Sequence, residues 1–136
     1  MSKGKSKRSR FSIEVGLSTG SVYASLAEQA FWWFVRGANL ESVESGKRHI
    51  VVNILRYRDI KCNGQIQIRN QDKTDYIIDL NHEQELREFV ATLMHEFVHL
   101  QQYETGEWVD DGEGEADNRQ YDLADEFWEQ GLTLNG

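Results

Sequence analysis

The segment from Asn81 to Glu104 limits what this chain can fold into more than any other stretch. On a helical wheel with Leu86 at zero and ~100° per residue, Phe89, Val90, Leu93, Phe97 and Leu100 fall within about 60° of it. His95 and His99 fall about 140–180° away on the same wheel. The spacing predicts a long helix that buries one face in a core and turns both histidines to the other. Asn81 and Gln84 form a capping-box pair at its start, and Thr105-Gly106 supplies its end.

The layer for that helix to lie on comes from the rest of the chain. Phe11, Ile13, Val15 and Leu17 alternate with Ser12, Glu14 and Gly16, the period of a half-buried strand. Ser18 to Ser21 break the alternation and offer helix caps. Val22, Leu26, Ala30, Phe31, Trp33 and Phe34 then recur at helical spacing, with Gly37 as a stop. Trp32 and Trp33 belong to that core-facing stripe rather than to an aromatic binding box. The middle third is β-rich: His49 to Leu55 is a strand, and Ile60 to Arg69 places Asn63-Gly64 as a hairpin turn between alternating residues. Asn70 to Lys73 makes another turn, and Asp75 to Leu80 a further strand. A last helix, starting near Asp111 or Gly112, carries Glu113 through Gln130 and stops at Gly131. The order predicts an α+β fold, with helices packed on one face of a small, mostly antiparallel sheet.

Charge divides the chain in two. Lys3, Lys5, Lys7, Arg8 and Arg10 put +5 in the first ten residues, so a total of −8 leaves −13 on the remainder. Residues 1–10 read as a disordered basic tail and 11–136 as one domain. An acidic body repels a phosphate backbone, so nucleic acid is not an expected partner except weakly through the tail. Cys62 is the single cysteine, which rules out an internal disulfide and a Cys-rich zinc knuckle. No apolar run approaches the roughly 20 residues that span a bilayer, and the basic start lacks the apolar stretch of a secretory signal. A soluble, cytoplasmic protein without a membrane partner is expected.

His95-Glu96-Phe97-Val98-His99 matches the pattern H-E-x-x-H. Residues four apart lie one above the other on a helix, so both imidazoles can reach a single ion at ~2.1 Å. Glu96, turned by roughly 100°, stands beside the ion without ligating it and can take a proton from water. Zinc with two histidines needs a third protein ligand and an open position. Glu113 and Asp117 are again i and i+4. Glu113 suits the third ligand, and Asp117 can receive the free ring N–H of a ligating histidine. Glu115 points about 200° from Glu113 and is the alternative ligand.

His95-Glu96-x-x-His99 followed by Glu113-x-x-Ala116-Asp117 resembles the gluzincin metallopeptidases. In that group a helical H-E-x-x-H is completed by a downstream E-x-x-A-D or related glutamate motif. The short chain, with a compact sheet before the active-site helix and one glutamate helix after it, is similar to the minigluzincin and SprT-like peptidases, including small phage-encoded ones. The specific match covers about residues 81–120, with thirteen residues between His99 and Glu113. The resemblance implies a zincin-like metallopeptidase domain acting on peptides or proteins, in a host cytoplasm if phage-encoded. His95, His99 and Glu113 would hold Zn2+, with Glu96 as general base and Asp117 behind a ligand. It also implies that the strand around Tyr76 to Leu80 pairs with an extended substrate, and that an oxyanion donor is present, for which Tyr103, Tyr121, Arg119 and His82 are candidates and Tyr103 lies one turn past His99.

Two rival readings remain open on sequence. His95 to Leu100 also resembles peptide deformylase, with Cys62 as an upstream third ligand, although that family's Gly-rich and Glu-Gly-Cys segments are missing. Alternatively, the chain is a non-catalytic zinc-containing binding module recruited through its basic tail.

Overall fold

A computed structural model describes residues 9–16, 22–43, 46–70, 72 and 74–131. Four strands form one mixed sheet in the order β1-β2-β4-β3. They are β1 (Phe11–Gly16), β2 (Arg48–Leu55), β3 (Gly64–Ile68) and β4 (Asp75–Asn81). The helices are α1 (Val22–Gly37), the single turn α2 (Tyr57–Ile60), α3 (Leu86–Thr105) and α4 (Glu113–Glu126). A π-turn, Phe127–Gly131, closes α4. The architecture is α+β, with helices on one face of the sheet.

The register explains the one-sided packing. Ile13, Ile50 and Tyr76 share a row across β1, β2 and β4, as do Val15, Val52 and Ile78. These residues face the helices, and Ile50, Val52, Tyr76, Ile78 and Leu80 are buried. The alternate rows carry Ser12, Glu14, His49, Asn53 and Asp79. They bond to one another on the other face, His49 Nε2 lying 2.7 Å from Glu14 Oε1 and Asn53 Nδ2 donating to Asp79 Oδ1 at 3.0 Å. Above the apolar face α1 meets α3 through Phe31 and Phe97, whose ring centres are 5.7 Å apart at a steep angle. Trp32 packs edge-on to Phe31, and Trp33 lies against Phe127, so the tryptophan pair does belong to the core stripe.

The sheet is not mostly antiparallel. β1–β2 and β2–β4 are parallel, and only β3–β4 is antiparallel. Between β1 and β2 the crossover is α1, long enough to return the chain to its starting end, and between β2 and β4 the chain returns through α2 and the antiparallel β3. The Asn63-Gly64 pair is likewise not a hairpin turn. Lys61 takes a left-handed conformation after α2, and Gly64 already opens β3. A Cβ on Gly64 would sit 2.7 Å from Thr92 Cγ2 and 3.3 Å from Glu96 Oε2. Glycine is required there because β3 crosses closely over α3, not because the chain reverses. The hairpin lies at the other end of β3. There Asn70 Oδ1 accepts from the Thr74 and Asp75 amides at 3.0 and 3.3 Å.

Three further expectations shift. α3 begins at Leu86, because Asn81 ends β4 and its side chain instead accepts from the Glu83 amide at 2.7 Å. β4 has neighbours on both sides, so its backbone has no edge free for a peptide. β3 is the edge strand beside α3. The folded body starts before residue 11: Arg10 pairs with Glu104 at 2.7 Å and donates to Leu40 O and Gly46 O. Residues 1–8, Leu17, the expected caps at 18–21, and Gln71 and Lys73 lie outside the described residues. No helix among the described residues is long and apolar enough to cross a membrane.

Candidate metal centre

The rotation of α3 is set by its core face. Phe89, Val90, Leu93, Phe97 and Leu100 are fully buried, and each such side chain stabilises that setting by ~1.5–3 kcal/mol relative to exposure. His95, His99 and Gln102 therefore fall on the opposite stripe, at i, i+4 and i+7. α4 lies along this stripe and presents its own set at the same spacing: Glu113, Asp117 and Gln120. The two stripes face each other.

Between them three side chains that could hold a metal ion converge. His95 Nε2 lies 2.9 Å from Glu113 Oε1, and His99 Nε2 lies 3.1 Å from Glu113 Oε2. One donor atom from each of His95, His99 and Glu113 can be drawn from a group lying within 4.8 Å of one another. Ligands on a tetrahedral zinc at 2.0–2.1 Å are roughly 3.3 Å apart, so a small opening would admit the ion. The donor types, two imidazoles and a carboxylate, also suit zinc.

Both rings are oriented from behind by a side-chain amide. His95 Nδ1 is 2.8 Å from Gln120 Oε1, and His99 Nδ1 is 2.9 Å from Gln102 Oε1. A carbonyl oxygen can only accept, so each Nδ1 carries the proton and each Nε2 is directed at the centre. Asp117 stands further from His95 Nδ1, at 3.4 Å, than Gln120 does. Burial draws the His95 pKa down, but the Gln120 hydrogen bond and the charges of Glu96 and Glu113 outweigh it and hold the ring above the usual histidine value.

Glu96 is 5% exposed and sits beneath Gly64. Burial pushes its carboxyl up to about 7, against the pull of His95 and His99 and with a push from Glu113. It opens with the histidines onto a cleft of about 410 Å3, walled by β3 at Gln65 and Ile66 and by Tyr103, Trp108 and Asp111 opposite. Of the four oxyanion candidates, Tyr103 alone lines this cleft. Burial and then the charges of Glu96 and Glu113 raise its hydroxyl pKa. The others are engaged elsewhere: Tyr121 donates to Glu88, Arg119 to Gln101 and Glu115, and His82 packs on Tyr23.

Glu115 points away from these three side chains. Its carboxylate accepts from Gln102 Nε2 and from Arg119, each at 3.0 Å. The Gln102 bond first, and Arg119 after it, hold its pKa below the usual carboxylate range. Cys62 donates to Gly64 O at 3.6 Å and is not among the residues that could share an ion with the histidines. Sequence reasoning did not find Gln102, Gln120 or the close-approach role of Gly64. The signal for the two glutamines was the i+7 spacing after His95 and Glu113. Gly64 had no local signal, because the residues it must clear lie on another element.

Comparison of the chain with family models, curated proteins and solved structures finds no match.

Proposed function

We propose that this chain is a small zinc-dependent peptidase of the gluzincin kind. The observation that carries the reading is the convergence of His95, His99 and Glu113 with the buried carboxyl of Glu96 beside them, at one end of an open cleft. Zinc held by His95 Nε2, His99 Nε2 and the Glu113 carboxylate would supply Lewis acidity for a carbonyl and make water a nucleophile near neutral pH.

The chain's own groups do the rest. Glu96 accepts a proton from the attacking water and returns it to the departing amine nitrogen. Its burial suits this role, since a desolvated carboxyl exchanges a proton near neutral pH more readily than a solvated one. Tyr103, which lines the cleft, would donate its hydroxyl to the carbonyl oxygen as negative charge builds on it. The free edge of β3 borders the same cleft and offers backbone groups to an extended peptide, in the place first expected of β4. A peptide or protein substrate and a cytoplasmic setting, with the lone Cys62 kept reduced, complete the proposal.

Zinc content and peptide turnover test it together. The reading expects one zinc per chain, lost in Glu113→Ala and kept in Glu115→Ala. Glu96→Gln should keep the metal and lose about 10²–10⁴ in turnover. A Glu96→Gln variant as active as wild type would remove Glu96 from the chemistry. A wild type that binds zinc but cleaves no member of a diverse peptide library would favour a non-catalytic zinc module.

A further inference from the structure

Gln102 lies on α3 one turn past His99, is 3% exposed, and spends its whole amide on bonds that join two halves of the centre. Its carbonyl oxygen accepts from His99 Nδ1 at 2.9 Å. Its nitrogen donates to Gly112 O and to Glu115 Oε1, each at 3.0 Å. Gly112 and Glu115 flank Glu113 at the start of α4. One side chain therefore orients a ring on α3 and tethers the turn that carries the candidate third ligand. The packing around it leaves little slack. Gly112 has φ +81, and a Cβ there would come within 2.3 Å of Gln102 Oε1.

We propose that Gln102 is a positioning residue for the metal centre, setting the distance and angle between His99 Nε2 and the Glu113 carboxylate. Neither half of the amide could be exchanged alone. A carboxylate at 102 keeps an acceptor for His99 but loses both donors and faces Glu115 as a like charge. An apolar side chain loses all three bonds. Glu115 then serves as the acceptor that anchors the tether, with Arg119 holding it from the other side. This inference rests on the zinc reading above.

The test is zinc affinity of the full chain, measured by competition with a chromogenic chelator after metal removal. Wild type, Gln102→Ala, Gln102→Glu and the double variant Gln102→Glu/Glu115→Gln are compared. Loss of a residue that orients a ligand commonly weakens metal binding by about 10–100-fold, the drop expected of Gln102→Ala. Gln102→Glu should also weaken it, and adding Glu115→Gln should restore part of the loss, because the exchanged pair again has one donor and one acceptor while Gly112 O stays without its donor. The double variant also serves if Gln102→Ala does not fold. A residue that only props up the fold would lower the unfolding midpoint of the zinc-free chain while leaving the folded chain's affinity alone. Affinities within twofold of wild type in all Gln102 variants, with Glu113→Ala losing zinc, would overturn the role of Gln102 and leave the centre standing. A wild type that binds no zinc would overturn both.

Discussion

The two helices that build the centre are held in different ways. α3 is buried almost all round, with Phe89, Leu93, Met94, Phe97 and Leu100 fully covered. α4 buries only Ala116 and Ala124 along its length, and Glu113 is about half exposed. Polar side-chain contacts hold it instead: Gln102 to Gly112 and Glu115, Arg119 to Gln101, Arg87 to Asp125 and Tyr121 to Glu88. The histidines thus stand on a helix fixed by apolar burial, and Glu113 on one fixed largely by polar side-chain bonds, of which those of Gln102 are covered. The exposed ones, Arg87 to Asp125 and Tyr121 to Glu88, contribute roughly 0–1 kcal/mol each. An ion that ties His95 and His99 to Glu113 should therefore order α4 far more than α3.

The difference can be pressed hardest at its rigid end. Phe97→Ala opens a cavity between α3 and α1 and should cost ~3–5 kcal/mol, read as a lower midpoint in denaturant unfolding. Tyr121→Ala on α4 should stay within about 0.5 kcal/mol by the same measurement. Similar losses at both sites would contradict the contrast. Hydrogen exchange sharpens it: zinc at about 1,000-fold over its dissociation constant stabilises by ~4 kcal/mol, and the gain in protection should concentrate in 113–126. Equal gains in both helices would mean that α4 is already as firmly held as α3.

Gly112→Ala probes the joint between them. The left-handed backbone alone costs ~1–2 kcal/mol with a Cβ, and the approach to Gln102 adds a clash. Zinc affinity should fall together with stability, whereas Gly114→Ala, whose Cβ would meet nothing within 4 Å, should leave both near wild type.

The smallest effect concerns the far end of α3. Burial alone would raise the Glu104 carboxyl pKa, but hydrogen bonds from Tyr76, Arg48 and Arg10 outweigh it and hold it below the usual range. A carboxyl with a depressed folded pKa stabilises fully above its unfolded value, ~4.3 for glutamate, and loses that contribution as pH falls through the folded pKa. Unfolding free energy should therefore decline with acid below about pH 4.3, and Glu104→Gln should flatten the decline. An unchanged acid slope in that variant would assign the acid sensitivity to other groups.

Much of this arrangement is legible in the residues themselves. The apolar spacing of 86–100 and the i, i+4 pairs His95/His99 and Glu113/Asp117 are local, because helical geometry alone places such residues on one face. The same local rules gave the ends of α1 and α3 at Gly37 and Gly106. They misjudged Asn63-Gly64 and Asn81-Gln84, where turn-forming residues serve a strand entry and a strand exit.

What the chain's own pattern determined is that one helix carries an apolar face and a histidine face, with acids on a second helix behind it. Tertiary structure alone decided that the sheet is largely parallel and that β3, not β4, has the open edge. It also decided that Glu113 rather than Glu115 meets the histidines. Strand partners and helix-to-helix facing are set by packing between segments distant in sequence, and no periodicity within a segment encodes which neighbour it will meet.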